Sequence, residues 1–113
     1  MTNPFPYSNL QSIRKLLHFM GLQSYNYGAF EEFYITRPNL ANLTLAEIHK
    51  DMNGFSILFY KIYIKDNNLL NDKSHRTWIF NEDDLNKILD EYSLVLKQYI
   101  QIMELKKIQK DFI

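Results

Sequence analysis

Nine residues following Ser56, from Ile57 through Leu58, Phe59, Tyr60, Lys61, Ile62, Tyr63 and Ile64 to Lys65, constrain the chain more than any other stretch, because their conformation sets the class of the whole. Their β-branched and aromatic side chains favour a strand, while Phe55, Phe59, Ile62 and Leu69 also fall at helical spacing. The flanking residues favour the helix. Upstream, Thr44 and Glu47 form a Thr-x-x-Glu capping box, and Leu43 and Ile48 occupy the positions of a hydrophobic staple. The helix so started carries Leu45, Ile48 and Met52 on one side and stops at Asn53-Gly54, after which Ser56 caps the next. Asp66-Asn67-Asn68 reads as a turn, and Arg76 to Phe80 as a strand.

The rest of the chain adds helices at both ends. Residues 1–7, with Pro4 and Pro6, read as an extended arm; Ser8 or Asn9 then caps a helix whose Leu10, Ile13, Leu17 and Met20 fall at helical spacing before Gly21 stops it. From Leu22 to Asn42 the chain is aromatic, with Tyr25, Tyr27, Phe30, Phe33 and Tyr34, and core packing is the expected use of these rings. Tyr27-Gly28 and Arg37-Pro38-Asn39 read as turns around a short helix or strand near 29–36. Asn81 with Glu82, Asp83 and Asp84 opens a final helix to about Gln109, with Lys106, Lys107 and Lys110 at its negative end. Along it Leu85, Leu89, Tyr92, Leu96, Tyr99 and Met103 step by four and three, a coiled-coil seam, widened by Ile88, Val95 and Ile102. That exceeds the apolar surface a small domain easily covers, so the seam predicts a homodimer interface, the alternative being a helix wrapped across its own domain.

At 113 residues, 46% of them hydrophobic, the chain fits one globular domain: an arm (1–7), an N-terminal helix and aromatic segment (8–42), a helix-turn-helix and wing (43–80) and a long helix (81–110). Thirteen basic residues cancel thirteen acidic ones, so no overall field draws it to phosphate. The lack of cysteine, of a leader and of any apolar run of spanning length predicts a cytoplasmic protein without membrane association. His18, His49 and His75 stand apart, without metal-site spacing, and no Gly-rich phosphate loop or Gly-x-Ser-x-Gly elbow occurs. The carboxylate pairs Glu31-Glu32 and Asp83-Asp84 point apart if helical. The expectation is a non-enzyme with no cofactor and no metal.

Residues 43–89 resemble the excisionase and MerR-type winged helix-turn-helix domains. Leu43-Thr44-Leu45-Ala46-Glu47-Ile48 matches the first helix, Gly54-Phe55-Ser56 the turn, Ile64-Lys65-Asp66-Asn67-Asn68-Leu69 the end of the recognition helix, and Arg76-Thr77-Trp78-Ile79-Phe80 with Asp84-Leu85 the wing exit. The resemblance implies a mainly α fold with a small β element, and a phage or mobile-element regulator binding DNA as a dimer, with Ser56, Lys61, Lys65, Lys73, His75 and Arg76 at the duplex. It departs from the family at Ile57, Leu58 and Phe59, where base-reading polar residues belong. Left exposed, these three would bind a protein. The alternative is therefore an α+β module, with a β-hairpin over 56–80 packed on helices, acting as an adaptor, inhibitor or immunity-type partner. A small-ligand carrier using the aromatic cluster is a third possibility.

Overall fold

The computed structural model describes residues 4–111, and Met1 to Asn3 of the expected arm lie outside the described residues. After a single 3-10 turn, helix α1 (Leu10–Phe19) leads into five strands: β1 (Gln23–Asn26), β2 (Phe30–Ile35), β3 (Leu43–Lys50), β4 (Phe55–Lys65) and β5 (Asn68–Ile79). Helix α2 (Glu82–Asp111) closes the chain. The strands form one antiparallel meander, β1-β2-β3-β4-β5, with each strand beside its sequence neighbour. Both helices pack on one face of it, where Ile13 and Leu17 of α1 and Leu85, Tyr92, Leu96 and Tyr99 of α2 join Phe33, Ile48, Ile57, Phe59 and Ile79 in a continuous core.

This architecture replaces the winged helix-turn-helix. The protein is α+β rather than mainly α, and both segments assigned to DNA-reading helices are strands, with 43–50 forming β3 and 55–65 forming β4. The expected hairpin over 56–80 is present as β4–β5, inside a larger sheet. The misreading of β3 has a physical origin. A register shift at Phe33/Tyr34 leaves Leu45 as an extra residue, so Leu43, Leu45, Ala46 and Ile48 are all buried and the strand's period of two is disguised as a helical one. The capping-box side chains point across strands instead. Thr44 donates to Glu32, and Glu47 accepts from Tyr60. Asn53-Gly54 closes a hairpin in which the Asp51 side chain accepts from both backbone amides.

Ile57, Leu58 and Phe59 are not an exposed patch. All three are buried, Ile57 and Phe59 in the core and Leu58 on the opposite face of the sheet. The helical seam is likewise occupied within the chain: Leu85, Tyr92, Leu96 and Tyr99 are buried on the sheet, with Leu89 and Met103 packed against the same core. These residues serve the fold of one chain rather than a dimer.

Two local devices hold the architecture. The Tyr92 hydroxyl donates to the backbone carbonyls of Tyr60 and, at 3.4 Å, Leu45, both at irregularities in the sheet. At the N-terminal end, Phe5 exchanges backbone hydrogen bonds of 2.7 and 2.9 Å with Phe55, and the two rings stack at 5.3 Å. A Cβ on Gly54 would lie 2.0 Å from the Phe5 carbonyl oxygen. Tyr92→Phe leaves the carbonyls unpaid and is expected to lower unfolding free energy by about 1–3 kcal/mol in urea denaturation. Gly54→Ala, which must push Phe5 off Phe55, should cost about 1–3 kcal/mol and release the Phe5 amide to hydrogen exchange.

Candidate binding face on the open side of the sheet

Alternation sorts each strand between the helix-covered face and an open one. Glu31 and Glu32 show the sorting. Glu31 turns inward, is 6% exposed, and accepts a 2.8 Å hydrogen bond from Arg14 of α1, whereas Glu32 turns outward. Cross-strand pairing then places Glu32 of β2 opposite Glu47 of β3, and Glu47 opposite Leu58 of β4, which faces Trp78 of β5. The neighbouring row holds Phe30 opposite His49, and His49 opposite Ser56.

Across this open face runs a ladder of five rings. Tyr25 and Tyr27 lie 4.7 Å apart between centroids, Tyr27 stacks on Phe30 at 5.0 Å, Phe30 on His49 at 5.5 Å, and Trp78 meets His49 edge-on at 5.0 Å. The small side chain of Ser56 lets Trp78 reach over β4 to His49. Trp78 is exposed to solvent, as are Tyr25 and Tyr27, against the favoured core use of the 25–34 aromatics, a role that Phe33 does fill.

Beside the ladder, on the same face, lie the two carboxylates. Glu47 accepts from Tyr60 at 2.8 Å and pairs with His49 Nε2 at 2.8 Å; Glu32 accepts from Thr44 at 2.8 Å. Like charges directly opposite on neighbouring strands repel. Among the described residues neither carboxylate meets a lysine or arginine. The field they create is visible on their neighbours. The Tyr27 hydroxyl is raised above its ordinary value, chiefly by the charge of Glu32. Tyr60 is pushed up to about 12, first by burial and then by its hydrogen bond to Glu47.

The residues expected at a DNA duplex scatter. Ser56 lies inside the ring row, and Lys65 is exposed at the far end of β4. The other four gather where β5 bulges: Tyr60 pairs with Arg76 but Lys61 with Asp72, so Lys73, Ser74 and His75 leave the ladder. Lys73 sits 5.8 Å over the Tyr60 ring. His75 is held 2.6 Å from Asp72, whose carboxyl is lowered to about 2 by hydrogen bonds from Ser74 and then His75. The face is thus polarised, acidic at Glu32 and Glu47 and basic at the bulge.

No family model matches the chain, no curated protein matches it, and no solved structure matches it. Among the described residues no helix is long and apolar enough to cross a membrane, and no three His, Asp or Glu side chains gather as metal ligands. The functional reading therefore rests on the face itself. Sequence reasoning passed over His49, Glu32, Glu47 and Trp78, which come together only once the register of four strands is known.

Because Tyr60 stays protonated to higher pH in the folded chain than its ordinary 10.0, its contribution to stability is complete below pH 10 and is lost as pH rises through about 12. Glu47→Gln should lower the Tyr60 value part of the way only, since burial is the larger cause, and a carbon-13 titration of ring-labelled tyrosine reads both effects.

Proposed function

We propose that this protein is a protein-binding module whose open sheet face docks on a polypeptide segment carrying an arginine or lysine side chain. The observation that carries the reading is the pair Glu32 and Glu47, opposed on adjacent strands with no lysine or arginine partner among the described residues, Glu47 meeting only the imidazole of His49, and bordered by the Tyr25-Tyr27-Phe30-His49-Trp78 ladder. A guanidinium or ammonium laid there meets ring faces, an attraction of about 0.5–2 kcal/mol each, and relieves the carboxylate repulsion. The flat aromatic surface alone would also suit stacked bases. The acidic row disfavours that occupant, because it repels a phosphate backbone. Polarity adds orientation: Lys73 and Arg76 at the bulge favour an acidic residue further along the same segment.

Trp78 is the chain's single tryptophan and sits on the face, so its fluorescence reports occupancy directly. Titration with a short peptide alternating arginine and tyrosine should change Trp78 emission at low salt, and the same peptide with citrulline should bind at least tenfold more weakly. Glu32→Gln with Glu47→Gln should erase that preference while leaving the fold's circular dichroism unchanged. Equal response to arginine and citrulline peptides, or no response to either, overturns the proposal.

A further inference from the structure

The side of α2 turned away from the sheet carries a second apolar row. Helical geometry places Leu94, Leu105 and Ile108 opposite the buried Leu85, Tyr92, Leu96 and Tyr99, and all three are more than half exposed. With Gln98 and Gln101 between them, the steps are four, three, four and three, which is again the spacing of a coiled-coil seam. On one flank of that row stand Lys97 and Glu104, seven residues apart on the same line of the helix. Beside them, Phe19 at the end of α1 is 92% exposed and borders a shallow groove of about 210 Å³ with Lys97 and Ile100.

We infer that this row is the contact surface for a second copy of the chain, with the two α2 helices antiparallel about a two-fold axis level with Tyr99 and Ile100. The argument is charge complementarity. An axis there sets Leu94 against Leu105 of the other copy and Gln98 against Gln101, each pair occurring twice. The same operation sets Lys97 against Glu104 in both directions, since residues at these flanking positions pair like with like in an antiparallel coiled coil. A closed two-fold contact needs a surface complementary to itself, and this order of residues is so. A parallel arrangement would instead set Lys97 near Ile102 and leave both charges unmatched. The paired stretch from Leu94 to Leu105 is only about 16 Å long, so the dimer is weak and concentration-dependent. Phe19 and Ile100 lie on the flank over which the second helix passes.

Sedimentation equilibrium from micromolar to millimolar protein tests the inference, with circular dichroism to establish that each variant is folded. The chain should dimerise at the upper end of that range. Lys97→Glu alone and Glu104→Lys alone should each raise the dissociation constant roughly tenfold, because each creates two repulsive pairs. The double variant should regain the original value, and an equal mixture of the two single variants should form the mixed dimer. Leu105→Glu should abolish association. A chain monomeric throughout the range overturns the inference, as does a dimer indifferent to the charge reversals. The sheet face lies on the other side of the molecule, so Trp78→Ala should leave this equilibrium unchanged, and the two proposals stand or fall separately.

Discussion

The Tyr92 hydroxyl meets the sheet at the two places where its ladder is irregular, and the rest of the molecule depends on that meeting. A curved meander over a long helix needs bulges, and each bulge turns a backbone carbonyl away from its strand partner. Inside a core such a carbonyl needs a donor. A tyrosine on the central face of α2, its ring edge-on to Phe59 at 5.2 Å, fills the space and supplies the donor together. Burial raises its hydroxyl well above the ordinary value, so it remains a donor. This one attachment ties α2 to the irregularities of β3 and β4, while strand alternation separates the covered face from the open one. At the far end of the hairpin, Asn71 donates to the Thr44 carbonyl and Arg37 to that of Leu69, continuing the same inward bend.

What the sequence disclosed was local. Helix α1 stops at Phe19, and the chain turns away at Gly21, whose φ of 93° only glycine adopts comfortably, while Asn81 caps α2 by accepting from the Asp84 amide at 2.9 Å. The Asp66-Asn67 turn, both residues at positive φ, joins β4 to β5. These features are written within four or five residues and need no partner to be recognised. β3 was concealed because helix-capping residues and a bulge imitate each other's spacing, and Thr44 and Glu47 found partners on β2 and β4 instead of on their own backbone. β4 was concealed because eleven mostly apolar residues buried on both faces carry no alternation to read. The open face was out of reach altogether, since its members come from positions 25 to 78 and their adjacency is a property of register.

The two surfaces that the fold leaves uncovered differ in chemistry. The sheet side offers rings and fixed negative charge; the helix side offers an aliphatic row flanked by one charge of each sign. Two chains joined back to back along α2 would present two sheet faces outward. A partner with repeated basic segments could then engage both, gaining avidity without any new contact.

Neighbouring glutamates on β2 face opposite ways, and among the described residues only Glu31 has an arginine waiting beneath it. Sliding β2 by one position against β3 would drive Glu32 into the apolar interior with its charge facing no guanidinium, and would strand Arg14 against an outward-turned backbone. The ion pair between helix and strand is therefore a proofreading device for alignment: together with Phe33, which the same slip would turn out of the core, it penalises every odd-numbered slip of this strand during assembly.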